Sequence, residues 1–278
     1  MVLEGLLDPK CIEENPLPLI VLSIVFVSIS IPATLFINLG AEANSLLLIL
    51  LVAIPSIPLI LQLFDYDEKC IERNRILGSR TLARHAPTLI VLVAYFLGLT
   101  IAFTAWFVFL PAAQTQNVFA SQINELHSIQ GTVVSGKSVA QFELAFETIF
   151  LNNLKVLGLI LVFSLLYGAG AVFIIIWNAS IIGVFLGSIA KEQLIIGAQG
   201  AAITGLSVGA AGLIPHGFFE LLAYLTAALA GGILSSSIVR KQFGKPLFKQ
   251  ISYDSVKLIG WSIVFLAAGA LIESTSVI

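Results

Sequence analysis

Long apolar runs separated by shorter polar segments dominate this chain. A transmembrane helix needs about 20 consecutive, mostly apolar residues to cross the hydrocarbon core of a bilayer. Runs of about this length predict transmembrane helices at Leu17 to Leu39, Leu46 to Phe64, Pro87 to Leu110, Leu154 to Trp177, Pro215 to Val239 and Val256 to Ile272. The prolines inside these runs are expected to kink their helices.

The segment 178–214 is apolar but does not read as one ordinary helix. Lys191, Glu192 and Gln193 interrupt it, and it is rich in glycine. We expect two shorter pieces joined near Lys191, since broken or re-entrant helices occur where protein or a watery cavity surrounds the freed backbone. The pattern therefore predicts an all-α, polytopic membrane bundle with about seven membrane segments, one of them broken.

Basic residues predict the orientation, because loops rich in lysine and arginine stay in the cytoplasm. The loop 65–86 is basic, whereas the segment 111–153 carries only Lys137. Four more basic residues follow the Pro215 run: Arg240, Lys241, Lys245 and Lys249. We therefore expect a multi-pass protein of the cell membrane with a cytoplasmic N-terminus and an external C-terminus.

The chain divides into four predicted parts. Residues 1–16 form an interfacial segment, and residues 17–110 form three transmembrane helices around the basic cytoplasmic loop 65–86. Residues 111–153 are external and contain an amphipathic helix, since Phe142, Phe146 and Ile149 recur at helical spacing. Residues 154–278 hold the remaining membrane helices, including the broken region 178–214.

Composition agrees with a membrane protein and excludes some partners. Hydrophobic residues make up 58 % of the chain and charged residues 11 %, against roughly 45–50 % and 25 % in soluble domains. The net charge of -2 gives no basic signal, so we expect a lipid bilayer and no nucleic acid as partner. A homo-oligomer or another membrane protein is a further possible partner.

The strongest local motif is Pro215-His216-Gly217-Phe218-Phe219-Glu220, which we expect to begin a membrane helix. His216 and Glu220 are four residues apart and share one helix face. A carboxylate near the bilayer centre costs about 2.5–3.5 kcal/mol, so Glu220 should meet a polar group, with His216 as the candidate. The pair could handle protons or a ligand, or it could be a hydrogen bond that closes the bundle. Two ligands do not form a metal site, and no cofactor is expected.

Other polar and small residues have structural interpretations. Asn178 follows Trp177, where its amide could cap the next helix or bridge two chain breaks, and Asn152 and Asn153 are candidate helix caps at the outer surface. Small residues let helices approach closely, and the candidates for helix packing are Gly168, Gly170, Gly183 and Gly187. No nucleophile elbow, phosphate loop or zinc-protease motif occurs, so we expect no enzyme.

Four short motifs follow one another in the second half of the chain: Asn152-Asn153-Leu154-Lys155-Val156, Tyr167-Gly168-Ala169-Gly170, Trp177-Asn178-Ala179, and Pro215-His216-Gly217 followed by Glu220. In this order they resemble the stage II sporulation protein M family in its archaeal form. The resemblance covers residues 140–240 best. Bacterial members are associated with cell-wall-degrading partners during spore engulfment, so the resemblance implies a membrane scaffold.

Two functions follow as hypotheses. The first is a non-enzymatic scaffold or anchor for partner proteins, suggested by the lack of a catalytic motif and by the resemblance. The second is a transporter or channel-like protein in which His216 and Glu220 line a polar path beside the broken region. An intramembrane enzyme would need a wet cavity joining these two residues to a third polar group.

Overall fold

A computed structural model describes residues 9–74, 81–131, 139–196, 201–241 and 244–276. Within these ranges the protein is helical and has no strand. The helices are α1 (Pro9–Glu14), α2 (Leu17–Ile37), α3 (Ala41–Asn74), α4 (Thr81–Phe109), α5 (Ala112–Val118), α6 (Ala120–Gly131), α7 (Val139–Tyr167), α8 (Ala171–Ile196), α9 (Ala201–Val239) and α10 (Pro246–Ser276). The first half of the predicted interfacial segment 1–16 precedes the described residues.

Seven of these helices are long and apolar enough to cross a membrane, namely α2, α3, α4, α7, α8, α9 and α10. The prediction of an all-α, polytopic membrane bundle is therefore confirmed. α4 and α9 are the most buried of the seven. α9 packs against α10, α7 and α8, and α4 packs against α2 and α8, so these two helices form the centre of the bundle.

Several helices extend further than their apolar runs. α3 continues to Asn74 and α4 begins at Thr81, so the described parts of the predicted loop 65–86 are helical. Charged residues there are compatible with helix because they pair with residues of other helices, as Asp65 does with Arg240. Hydropathy locates the part of a helix that lies in lipid, not the end of the helix.

The fourth predicted span, Leu154 to Trp177, is wrong in its C-terminal part. α7 ends at Tyr167, and α8 begins at Ala171. Gly168 between them has a φ of +67°, a left-handed conformation that glycine adopts without steric cost. The chain therefore reverses direction at Gly168 to Gly170, inside a continuous apolar run.

The expected junction near Lys191 is also wrong, because α8 continues through Lys191 to Ile196. The Lys191 amine donates to the carbonyl oxygens of Phe107 at 3.2 Å and Leu110 at 2.8 Å and to the Thr115 hydroxyl at 3.1 Å. Because these groups at the end of α4 and in α5 stabilise the Lys191 charge, the charge does not have to end α8. The two expected pieces of 178–214 belong to α8 and α9, and the connection at 197–200 lies outside the described residues.

Close helix packing depends on glycines that face neighbouring helices. A Cβ at Gly187 would lie 2.9 Å from the Phe107 Cβ of α4, and one at Gly183 would overlap Phe103 of the same helix. Gly168 and Gly170, grouped with them as packing residues, lie in the turn between α7 and α8, where a Cβ at Gly168 would also lie 2.7 Å from Leu61 Cδ2 of α3. Glycine therefore allows close helix packing at Gly183 and Gly187 and a reversal of the chain at Gly168.

Polar side chains gather at the two ends of the bundle. At one end, which we call the charged end, Arg240 pairs with Asp65 at 2.5 Å and Arg84 pairs with Asp254 at 2.6 Å. At the opposite end, side-chain amides of Asn38, Asn44 and Asn117 bond one another across α2, α3 and α5. These bonds hold neighbouring helices together at both ends of the bundle. The apolar middle of the bundle lies between the two ends.

Candidate functional site

The helix that carries the predicted motif does not begin where the sequence suggested. α9 starts at Ala201, and Pro215 lies inside it, so the prediction that Pro215 opens a helix is wrong. A membrane helix tolerates an internal proline, because neighbouring groups can satisfy the freed carbonyl. Gly217, the other residue of the predicted helix start, is likewise internal to α9.

Glu220 meets two other helices. The Asn153 side-chain amide of α7 donates a hydrogen bond to Glu220 Oε1, and the Glu273 carboxyl group of α10 lies close enough to act electrostatically on the Glu220 carboxyl group. Within the described part of the chain, no hydrogen bond joins Glu220 to His216. The polar partner that the sequence required therefore exists, but it comes from α7 and α10.

The approach of α10 to Glu220 depends on a glycine. A Cβ at Gly269 would lie 2.9 Å from Glu220 Cγ and 3.3 Å from the His216 carbonyl oxygen. Because Gly269 has no side chain, α10 contacts the backbone of α9 at this level, and Glu273, one turn further along α10, reaches the Glu220 carboxyl group.

Tyr224 lies one helical turn from Glu220 on α9. Its side chain is 7 % exposed, and both Glu220 and Glu273 act on its hydroxyl electrostatically. Asn153, Glu220, Tyr224 and Glu273 together form what we call the carboxyl cluster.

The carboxyl cluster lies near the end of the bundle opposite the charged end. Ser236 at the charged end donates to Asp65 or Glu68, with both carboxyl oxygens at 2.6 Å. Glu220 precedes Ser236 by 16 positions on α9, which corresponds to about 24 Å of helix rise. Since the hydrocarbon core is about 30 Å thick, the cluster falls in the half of the membrane far from the charged end.

The carboxyl cluster brings two acidic side chains close together. Two carboxylates near each other repel strongly in a medium of low dielectric. The side chains that act on Glu220 are Glu273 and Asn153, and neither is basic.

The other predicted residues are not at helix ends. Asn178 lies within α8, where its amide donates to the Ile174 carbonyl oxygen at 2.8 Å, so its interpretation as a cap is wrong. Asn152 and Asn153 lie within α7, and the capping role predicted for them is also wrong. Polar side chains inside a membrane helix can bond their own backbone or a neighbouring helix, and sequence alone does not distinguish these from a cap.

Sequence reasoning missed Glu273 and Tyr224. Glu273 directly follows Ile272, the last residue of the final predicted span, and an acid at that position is a signal that could have been used. Tyr224 carries no such signal, because an aromatic residue four positions after Glu220 is ordinary in a membrane helix. Its role depends on the packing of α7, α9 and α10.

A second cluster of polar side chains lies at the charged end. His85 Nδ1 lies 2.7 Å from Asp67 Oδ2, and the Thr88 hydroxyl lies 2.6 Å from Asp67 Oδ1 and 3.0 Å from Glu13 Oε1. Burial of Glu13, together with the nearby negative charge of Asp67, raises the pKa of Glu13 above its ordinary value, although the Thr88 hydrogen bond opposes this. The group ties the short helix α1 to α3 and α4. Within the described ranges, no three His, Cys, Asp or Glu side chains are grouped so as to hold a metal ion.

Comparison with known proteins identifies the family of this chain. The profile of the family described as stage II sporulation protein M matches residues 88–276, which include α7 to α10 and the carboxyl cluster. An uncharacterized protein of the archaeon Methanocaldococcus jannaschii is 32 % identical over 158 residues, which is 54 % of this chain and 80 % of the relative. No solved structure matches. This chain therefore belongs to the stage II sporulation protein M family.

Proposed function

We propose that the protein is a non-enzymatic membrane scaffold that binds the transmembrane helix of a partner protein through α7. The observation behind this proposal is the exposure of α7 and of its polar residues. Within the most apolar stretch of each membrane helix, only 17 % of α7 is buried, against 33–72 % of the other six helices. α7 therefore offers the least covered surface of the bundle.

The exposed face of α7 is not uniformly apolar. Asn152, Lys155, Leu159, Val162 and Leu166 are exposed and recur at intervals of three and four residues, so they form one stripe along the helix. Lys155 is the eleventh of the 23 residues in the candidate span Ala145–Tyr167. A lysine near a helix end can reach the membrane surface, whereas one near the middle is costly in lipid.

The residues in and beside the stripe indicate which kind of partner would bind there. A lysine facing lipid would be stabilised by an acidic side chain at the same depth, since charges within a membrane occur in pairs. At Gly158, beside the stripe, no heavy atom lies within 4 Å of the position that a Cβ would take, which leaves room for a helix to approach. The proposed occupant is a transmembrane helix of another protein with a carboxylate opposite Lys155.

A photo-crosslinking experiment tests this function. A photoreactive amino acid at Leu159 should cross-link, in native membranes, to a transmembrane segment that contains an acidic residue. Lys155→Met should abolish the cross-link, and the control Lys245→Met, a lysine outside the membrane spans, should leave it unchanged. Exchanging the charges, with Lys155→Glu and a lysine in the partner, should restore it. Cross-links to lipid alone, or to a second copy of this chain, would contradict the proposal.

A transporter or channel-like protein is the second candidate function, and the carboxyl cluster is the observation that favours it. Acidic side chains within a membrane are typical of proton-coupled pathways. Reconstituted protein should then move protons or a solute across liposomes, and Glu220→Gln should stop the flux. Glu192→Gln, at an exposed position of α8, is the matched control. Equal flux in both variants would rule out this use of Glu220.

A further inference from the structure

One outward face of α10 carries two lysines. Lys249, Tyr253 and Lys257 follow one another at intervals of four residues, so they form one row along the helix, which we call the basic row. Lys249 and Tyr253 are exposed, and Lys257 is half-buried. Neither lysine forms an ion pair with any residue that the structure describes.

The basic row lies near the membrane surface. α10 has 31 residues, which corresponds to about 46 Å of helix rise, whereas the hydrocarbon core is about 30 Å thick. Asp254, which follows Tyr253, pairs with Arg84 at the charged end. The first turns of α10 therefore reach the level of the lipid headgroups, where tyrosine is common.

The Lys257 amine is held in position by an aromatic ring. Its Nζ lies over the Tyr253 ring, 4.3 Å from the ring centroid. Long side chains on a helix point toward its N-terminus, so the Lys257 amine is directed toward Lys249. A lysine amine has three N–H donors, and the ring covers only one side of it, so donors remain for an anion.

An unpartnered donor lies beside the basic row. Gln250 Nε2 is buried and has no hydrogen-bond partner in the part of the chain that the structure describes. Gln250 precedes Tyr253 by three positions and Lys257 by seven, so it lies on the same side of α10. A buried donor without an acceptor costs free energy. Two ammonium groups and one amide donor therefore lie together without an acceptor, and a phosphate group could accept from them.

An apolar groove continues from the basic row toward the middle of the bundle. Val256, Gly260 and Val264 are exposed and again lie four residues apart on α10. At Gly260 no heavy atom lies within 4 Å of the position that a Cβ would take, so a shallow groove lies between the two valines. The face is thus cationic near the membrane surface and apolar within the membrane.

We propose that this face of α10 binds one anionic phospholipid, with its phosphate at the basic row and an acyl chain along Gly260. Charge complementarity supports this occupant, because lysines near the membrane surface attract anionic lipids. A zwitterionic headgroup carries its own amine beside the phosphate and gains less from two lysines. The face lies on α10 and excludes the exposed stripe of α7, so it does not depend on the scaffold proposal.

Native mass spectrometry of the purified full-length protein in mild detergent tests the proposal, with phosphatidylglycerol or phosphatidylcholine added. Phosphatidylglycerol should be retained at least fivefold more tightly. Lys249→Met and Lys257→Met should each weaken its retention about fivefold, whereas Lys257→Arg should keep it. Lys69→Met removes an exposed lysine of α3 at the same end, and this matched control should leave retention unchanged.

Gly260→Leu tests the apolar part of the site and leaves both lysines in place. The open space at Gly260 admits the leucine without disturbing the fold, and retention should weaken several-fold because the groove is filled. Unchanged retention in this variant would contradict the groove, and equal retention of the two lipids would contradict recognition of the headgroup. An equal loss in Lys69→Met and Lys257→Met would overturn the site by showing a diffuse attraction to the charged end.

A photoreactive amino acid at Val264 identifies the occupant in native membranes. It should cross-link to lipid. A cross-link to a protein instead would overturn the proposal and assign this face of α10 to a partner helix.

Discussion

Gly98 provides a sharp test of how α2 and α4 pack. A Cβ at Gly98 would overlap the Ser23 hydroxyl and would lie 2.6 Å from the Ile20 carbonyl oxygen and 2.9 Å from Ile20 Cα. Ordinary contact begins at 3.4 Å, so α2 would have to move by about 0.8 Å. Since two of these atoms belong to the backbone, a rotamer change cannot relieve the overlap.

The expected cost of Gly98→Ala follows from two opposing effects. Overpacking a well-packed interface costs about 1–3 kcal/mol, whereas alanine favours the helix over glycine by about 1 kcal/mol. We expect a net loss of up to about 2 kcal/mol in the free energy of unfolding. The hydrogen bond from Trp106 Nε1 to Ser28 at 3.0 Å lies further along the same pair of helices and should weaken as α2 shifts.

Titration with SDS in mixed micelles measures the free energy of unfolding, and tryptophan fluorescence reports the helix shift. Gly158→Ala on α7 is the matched control, because no heavy atom lies within 4 Å of its Cβ position. This control should gain up to about 1 kcal/mol from helix propensity alone. If Gly98→Ala stabilised the protein as much as Gly158→Ala, the close packing of α2 on α4 would be refuted.

Three further predictions concern polar contacts outside the carboxyl cluster. Asp254→Asn should lower the free energy of unfolding by about 2–4 kcal/mol, because it removes the carboxylate that lies 2.6 Å from the largely buried Arg84 guanidinium. SDS titration checks this, and an unchanged free energy of unfolding would refute it. Lys191→Met removes the amine that bonds the last carbonyl oxygens of α4, so amide hydrogen exchange in the last turn of α4 should become faster. An unchanged exchange rate would show that these bonds do not stabilise the end of α4. Burial and the charge of Asp67 raise the pKa of Glu13, so its folded state favours the neutral acid. Docking of α1 should be firmest below the ordinary pKa of 4.5 and weaken as pH rises through the raised pKa. Accessibility of a cysteine placed at the buried Ile12, with the exposed Cys11 changed to serine, measures this, and Glu13→Gln should remove the pH dependence.

The carboxyl cluster shows how far reasoning from the residues could reach. A single acid in an apolar run requires a polar neighbour wherever it lies, so Glu220 stood out from the sequence. The sequence favoured His216, because a residue four positions away on the same helix is the only neighbour that helical periodicity can identify. Asn153 and Glu273 are distant in the chain, and no periodic pattern connects them to Glu220.

The helix breaks show the same limit. Hydropathy identified the membrane character of α7 and α8 but not the turn at Gly168, because the turn is as apolar as the helices it joins. It also suggested a break at Lys191, where the end of α4 accepts the charge and the helix continues. A glycine or a charge in the sequence has more than one structural use, and its neighbours decide which applies.

The sequence by itself determined that this protein is an all-α membrane bundle with about seven spans, because the length and apolar character of each run follow from the thickness of the bilayer. It also determined the family, through local motifs whose order is preserved along the chain. The tertiary structure alone decided where the helices break, which partners Glu220 meets, and which helix remains exposed. These depend on contacts between residues far apart in the chain, and the energies of such contacts depend on geometry that no local pattern contains.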